Sequence, residues 1–408
     1  MTATVPALEK LKPNANWAAL PLFERKGWKR VRFGDVVENC NETCDPTDAG
    51  LERFIAMEHL EPGSLHVRSW GNVADGTTFT RRCGPGQVLF GKRRAYQRKV
   101  AVAEFDAVVS GDIYVLAPKD GRLLPKLLPF LCLSERFFQH AVGTSAGSLS
   151  PRTNWSSLAN FEFDLPPLDQ QRRIAEILWA VDEDEQAKQG IAGAAQEVRL
   201  AEVESILDEL SKGTNRTLDG VLTGSPESGC SAPPSSKETG HYVLSLAALA
   251  GAGYSQGHLK PIPPTKQMLD CRMSRGDFLI SRSNTQELVG LVGIFDEERG
   301  DVSFPDTMMR LPVDQSLVDP RYLEIVLQSR RGRLHMMRTA AGTSNSMKKI
   351  NRRSLHTFTV PVPKLTVQAE VIAKIATVKR LQLDAQNACE SARLLKSELI
   401  QTFVPATS

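Results

Sequence analysis

The side chains in this chain best suited to chemistry are those that bind an anionic polymer. Lys92-Arg93-Arg94-Ala95-Tyr96-Gln97-Arg98-Lys99 packs five cations, an aromatic ring and an amide into one short run. Guanidinium forks match guanine edges, an amide matches adenine, and cations neutralise phosphates. The run follows the strand-like Gln87-Val88-Leu89-Phe90, so a loop is expected. In the second half of the chain Ser281-Arg282-Ser283-Asn284-Thr285-Gln286 follows the strand-like Asp277-Phe278-Leu279-Ile280 in the same way. There Arg282, Ser283, Asn284 and Gln286 offer fewer charges and more hydroxyl and amide donors. Further candidates surround two Gly-Thr-Ser strings. Ser145, Ser148 and Arg152 follow Gly143; Ser344, Asn345, Lys348, Lys349, Arg352 and Arg353 follow Gly342. Glycine and small hydroxyls let backbone N–H groups approach a phosphate. The same strings also read as helix stops with Gly143 and Gly342 as caps.

Charge distribution supports the polyanion reading better than net charge does. The chain carries only +3 overall, with 41% hydrophobic and 24% charged residues, as an ordinary globular protein does. Yet Arg81 to Lys99 holds seven Lys/Arg and no acid, and Ile325 to Gln368 holds nine and no acid. Two acid-free stretches, one in each half, suit contact surfaces, although a solvated face is the usual meaning of such a run. No apolar run approaches the ~20 residues that a membrane helix needs. The N-terminus lacks the pattern of a secretion signal, so a cytoplasmic protein is expected. Seven scattered cysteines fit reduced thiols better than a disulfide framework. Cys40 and Cys44, with His59 and His66 downstream, are too loosely spaced for a zinc site, and no metal is expected.

Catalytic patterns are missing. Asp164-Leu165-Pro166-Pro167-Leu168 has an intruding leucine and no aromatic where a methyltransferase would stack a flipped base. The glycines from Gly251 to Gly257 have the wrong spacing for a dinucleotide fingerprint. His140 and His335, near the ends of equivalent helices, read as packing or capping residues. A binding protein without catalytic residues is the expectation. The alternative is a DNA methyltransferase or nuclease whose active site follows no recognised pattern.

The elements that position these loops occur twice. Asn154, Leu158, Phe161, Phe163, Pro166, Leu168 and Gln171 recur as Asn351, Leu355, Phe358, Val360, Pro363, Leu365 and Gln368, about 197 residues on. Each copy is preceded by a helical stretch, Leu123 to Val142 and Pro320 to Arg338, and runs on into a long proline-free amphipathic segment. A helix of about 40 residues spans about 60 Å, more than a compact domain requires. Gly190 and Gly193 are its weak point, and the two long helices are expected to bury their stripes on each other. The division is therefore a leader at 1–16, a mixed domain at 17–165, a spacer helix at 166–212, a second mixed domain at 213–362 and a second helix at 363–408. This is an α+β chain of two similar mixed α/β domains and two paired helices, with approximate internal two-fold symmetry. Such symmetry suits a target with two halves, and duplex DNA is the commonest.

The string from Phe163 through Pro166-Pro167-Leu168-Asp169-Gln170-Gln171 to Leu178 resembles the start of the conserved helical region in DNA-specificity subunits of type I restriction–modification systems. The second copy, Val360 to Ile372, is a weaker match, with Lys364 intruding. The resemblance implies two target-recognition domains, each reading one half of a split, asymmetric duplex site. It implies long helices paired as an antiparallel coiled coil that sets the gap. It also implies docking of two modification subunits, which bring S-adenosylmethionine and methylate adenine, with two restriction subunits as optional partners. On that reading this chain binds no cofactor itself.

Overall fold

The computed structural model describes residues 25–231, 233–251, 253–342 and 347–404. The expected leader at 1–16, and Ser344 and Asn345, lie outside the described residues. The chain divides into two compact units. The first comprises residues 1–189 and 387–408, and the second residues 190–386. The two long helices, Leu168–Leu210 and Leu365–Phe403, therefore give one part to each unit. The first helix continues through Gly190 and Gly193 as one element. None of the described helices is long and apolar enough to cross a membrane.

In the first unit, Lys29–Arg32 pairs antiparallel with Glu162–Leu165 and closes the domain beside its exit into the helix. One antiparallel sheet runs Val37–Asn39, Ile113–Pro118, Val88–Gly91, Val100–Val102. A second runs Gly71–Asn72, Arg53–Ile55, Ala107–Val109, Arg81–Cys83, with its central pair parallel. All of Val88–Gly91 is buried. Alternation explains how: Val88 and Phe90 face the core shared with the helices, and Leu89 faces the core under the second sheet.

The second unit repeats this plan. Asn215–Thr217 pairs with Thr359–Pro361. Its main sheet runs Glu227–Ser228, Met308–Leu311, Phe278–Ser281, Val292–Ile294. Phe278 and Ile280 face one core and Leu279 the other. The smaller sheet, Leu259–Pro261, Tyr242–Leu244, Val302–Ser303, also has a parallel pair. Its fourth strand is reduced to a single bridge, Arg272 to Ser303.

The helical stretch before each repeat is two helices, not one. The chain breaks at Ser134, between Leu128–Leu133 and Glu135–Gly143, and at Ser329, between Pro320–Gln328 and Arg330–Thr339. Each serine has extended backbone, and its hydroxyl donates to the carbonyl three residues back, Leu131 or Val326. The same oxygen accepts from Phe137 or Gly332, capping the next helix. His140 and His335 tie these helices to the next ones, each Nε2 donating to a carbonyl, of Ser157 and Ser354, at 2.8 Å.

A buried glutamine fastens each long helix to its domain. Gln171 Oε1 accepts from the Leu124 amide, and its Nε2 donates to the Arg122 and Pro166 carbonyls, at 2.7–2.8 Å. Gln368 accepts from Asp319 and donates to Leu317 and Pro363 at 2.8–2.9 Å. Within each unit the helix segments pack antiparallel. In the first, Asp182 meets Lys396 and Glu185 meets Arg393. In the second, Gln382 accepts from Arg199 at 2.7 Å, and Lys374 pairs with Glu202.

The first unit also buries an ionic junction. Lys396 Nζ lies 2.9 Å from Asp182 and 2.5 Å from Glu185. His66 of the mixed domain bridges Asp182 at 2.8 Å and Glu104 at 3.0 Å. Burial opposes charge on His66, but hydrogen bonds to Glu104 and Asp182 outweigh it and raise its pKa. With His59 Nδ1 accepting from the Ala56 amide, both imidazoles near Cys40 and Cys44 are engaged elsewhere. Among the described residues no cluster of His, Cys, Asp or Glu is arranged to hold a metal. The expectation of seven reduced thiols fails at one pair, since Cys230 and Cys271 form a disulfide. Both flank the same backbone: the Cys230 amide donates to the Phe304 carbonyl, and the Phe304 amide to the Cys271 carbonyl. Their separation in sequence concealed this.

Two outcomes follow. Gln171→Leu strands an amide and two carbonyls, which costs about 2–4 kcal/mol. Urea unfolding read on the first unit should show an earlier midpoint, with Gln368→Leu doing the same in the second; an unchanged midpoint would refute the clamp. Because the folded pKa of His66 is raised, its contribution is fully present below the ordinary value of 6.5 and is lost as pH rises through the folded value. The first unit should therefore unfold at lower temperature as pH rises from about 6 to 8, and His66→Asn should flatten that slope.

Candidate nucleic-acid interface

The strand Val88–Gly91 delivers Lys92 to a loop that turns through Ala95–Gln97 and returns at Val100–Val102. Arg94 and Arg98 bracket that turn in the left-handed region, at φ 52° and 56°; they are the only non-glycine residues with positive φ among the described residues. Such backbone costs roughly 1 kcal/mol or more per residue and has to be held by its surroundings. Main-chain bonds to a second loop hold it. The Arg94 amide donates to the Pro151 carbonyl, the Thr153 amide to Lys92, and the Lys92 amide to Asp112. Thus the two groups of first-domain candidates, separated in sequence, form one platform.

The side chains divide into those that build the platform and those that face outward. Asp112 accepts from Arg152 at 2.8 Å and from Arg93 at 3.3 Å. Burial works against its charge, yet the two guanidinium groups hold its carboxyl below the usual range. Arg93 Nε also donates to Ser150 Oγ at 3.0 Å. Arg98 pairs with Glu135 and lies over Phe138. Lys99 donates to the Met57 carbonyl, and Ser145 to that of Ala141. Lys92 lies over the Tyr114 ring at 4.9 Å, its pKa lowered by burial and then by Arg81. Tyr96 and Ser148 are exposed and Arg94 and Gln97 half-buried. Sequence reasoning missed Asp112, the acid that organises the loops; its place in the turn before Ile113–Pro118 was the available signal.

The second unit brings its candidates together by the same route. Ser283–Asn284 pairs antiparallel with Lys348–Lys349, and the Ile350 amide donates to the Arg282 carbonyl as Thr153 does to Lys92. Ser283 is buried, Asn284 donates to Ser281 Oγ, and Gln286 donates to the Met337 carbonyl. Lys348 Nζ donates to the Gly342 carbonyl at 2.7 Å. The side chains of Arg282, Lys349, Arg352 and Arg353 have no hydrogen bond or ion pair among the described residues. Arg352 and Arg353 line a cavity with Asp219 and His356.

Two readings of the sequence need correction. The Gly-Thr-Ser strings are not equivalent. Thr144 bonds the His140 carbonyl as Thr339 bonds that of His335. Bridges Ala146–Arg152 and Ala341–Lys349 then match, which makes Gly147 the counterpart of Gly342, both with positive φ. The second loop is two residues longer, and that insertion produced the false alignment. The second acid-free run is also partly structural. Arg330 pairs with Glu197, and Arg331 with Glu204 and Asp208, all on the first long helix. The acids stand far upstream in the sequence, so the run only looked unpaired.

The family model described as "Type I restriction modification DNA specificity domain" matches residues 25–192. The chain is 26% identical over 156 residues to the type I restriction enzyme EcoDI specificity subunit of Escherichia coli, a match covering 36% of this chain. It spans 33% of that relative, about a third of its length. A solved chain from work on complex assembly and conformational transition of the type I R-M system superposes with a TM-score of 0.55 at 19% identity, covering 93% of this chain and 98% of its own. The type I restriction–modification S subunit from M. genitalium gives 0.51 at 11% identity, covering 93% and 97%. Residues 25–192 thus match the DNA-specificity domain of type I restriction–modification systems, and the second unit repeats the plan of the first, each joined to a long helix by a buried glutamine.

Proposed function

We propose that this chain is the non-catalytic, sequence-reading subunit of a type I restriction–modification complex and grips a split duplex DNA site, one half with each unit. The observation that carries this is the stitched pair of loops in each unit. The frame is the same, but the side chains differ: a cation-rich set from Lys92 to Lys99 in one, and Arg282, Asn284, Lys348 and Lys349 in the other. Like frames with unlike donors suit half-sites of unlike sequence. The long helices set the gap between the half-sites and dock two modification subunits. S-adenosylmethionine belongs to those subunits and supplies the methyl group for adenine; two restriction subunits join where the system cuts.

Affinity for duplex should fall steeply with salt, by roughly 0.9 log units per log of salt for each phosphate neutralised. Lys349→Ala should reduce that slope by about one contact while weakening all sequences alike, whereas Arg282→Ala should relax preference at one position. Affinity indifferent to salt would defeat the proposal. Exchanging residues 17–165 for those of another family member should change one half of the methylated motif and leave the other, as read from a methylome. Inserting a heptad in both long helices should lengthen the tolerated gap.

A further inference from the structure

Leu149 is 89% exposed, the most exposed large apolar side chain among the described residues. A lone leucine on a surface is ordinary, but this one sits at the tip of a pinned loop. The Ala146 and Arg152 backbones exchange two hydrogen bonds of 3.0 Å across its base. Gly147 turns the chain at φ 110°, and Ser150, next to Leu149, accepts from Arg93. The loop's base is anchored to the cationic platform, and its apolar tip is left in water.

The second unit does the same with a different residue. Ala341 and Lys349 exchange the matching pair of bonds, at 2.9 and 2.8 Å, beside Gly342 at φ 141°. Met347, between that glycine and the two lysines, is 47% exposed. Each unit thus presents a large apolar side chain, Leu149 or Met347, outward beside cations. Leucine and methionine are among the side chains that enter a base step and unstack it, while neighbouring cations hold the phosphates.

We propose that Leu149 is a wedge that enters a base step of the half-site gripped by the first recognition domain, with Met347 its counterpart in the second. The inference rests on the DNA-reading function above and adds how the duplex is deformed. Unstacking costs least at flexible pyrimidine–purine steps, so the wedge favours such a step without a hydrogen bond to any base.

The test uses the full chain with a co-expressed modification subunit and a duplex enriched from a random-sequence pool by binding to it. Each purine of the enriched duplex is replaced in turn by 2-aminopurine, whose fluorescence rises on unstacking. Wild type should brighten one step in the first domain's half, Leu149→Ala should lose that signal and bind about tenfold more weakly, and Leu149→Phe should retain it. The side chain is almost fully solvated, so removing it leaves the fold intact. Equal brightening by wild type and Leu149→Ala, or a bound duplex with no brightened step in that half, overturns the wedge alone. Failure of the wild type to enrich any duplex overturns the DNA-reading function and the wedge with it.

Discussion

A primary amide carries one acceptor and two donors, and when water is excluded all three need partners. Gln171 and Gln368 are almost completely buried one turn into the long helices, and each finds its partners in backbone from two places. One is the proline turn that starts the helix; the other is the segment just before Leu128–Leu133 or Pro320–Gln328. The amide thereby sets both the angle and the register at which the helix leaves its domain. The strand pairs Lys29–Arg32 with Glu162–Leu165, and Asn215–Thr217 with Thr359–Pro361, close each domain at that exit. Loops at the end of the central strands inherit their position from this anchorage.

The same plan carries different electrostatics in the two units. Glu185 meets Lys396 in the first, and the corresponding positions in the second hold Gln382 and Arg199. Exchanging the carboxylate for an amide leaves one half-buried guanidinium, whose pKa burial lowers. Nearby, burial pushes Glu324 up to about 7, with Lys379 pulling the other way. A buried ion pair adds little net stability but is costly to break. Both units share the apolar packing, Ile174 and Leu178 with Ile400 and Val404 in the first and Val371 and Ile375 with Val203 and Leu207 in the second, and the first adds a charge set that has to be complete.

Much of this was legible in the chain because the repeat lies close to the surface of the sequence. Apolar alternation at Val88–Gly91 and Phe278–Ser281 marked the central strands, and the strand ends marked the loops. Gln171 and Gln368 were visible as repeated letters, but their role was not, because their partners lie about 50 residues away. Ser134 and Ser329 looked like neutral helix residues, although their hydroxyls divide the helices. Arg330 and Arg331 looked free because their acids are on another element. For the glutamines and the arginines the deciding interaction was non-local, and periodicity reports only on near neighbours; for the serines it was a local hydroxyl contact that apolar periodicity does not register.

The platforms are joined largely through main chain: Arg94 to Pro151, Thr153 to Lys92, Ser283–Asn284 to Lys348–Lys349. Every residue supplies a backbone carbonyl and all but proline an N–H, so exchanging an outward side chain such as Tyr96, Gln97 or Lys349 leaves that stitching in place. Single codon changes at these outward positions can then alter the surface without compensating changes in the core. Asp112 marks the limit of that freedom in the first unit, where two arginines share one carboxylate and inheritance of any one of the three is tied to the others.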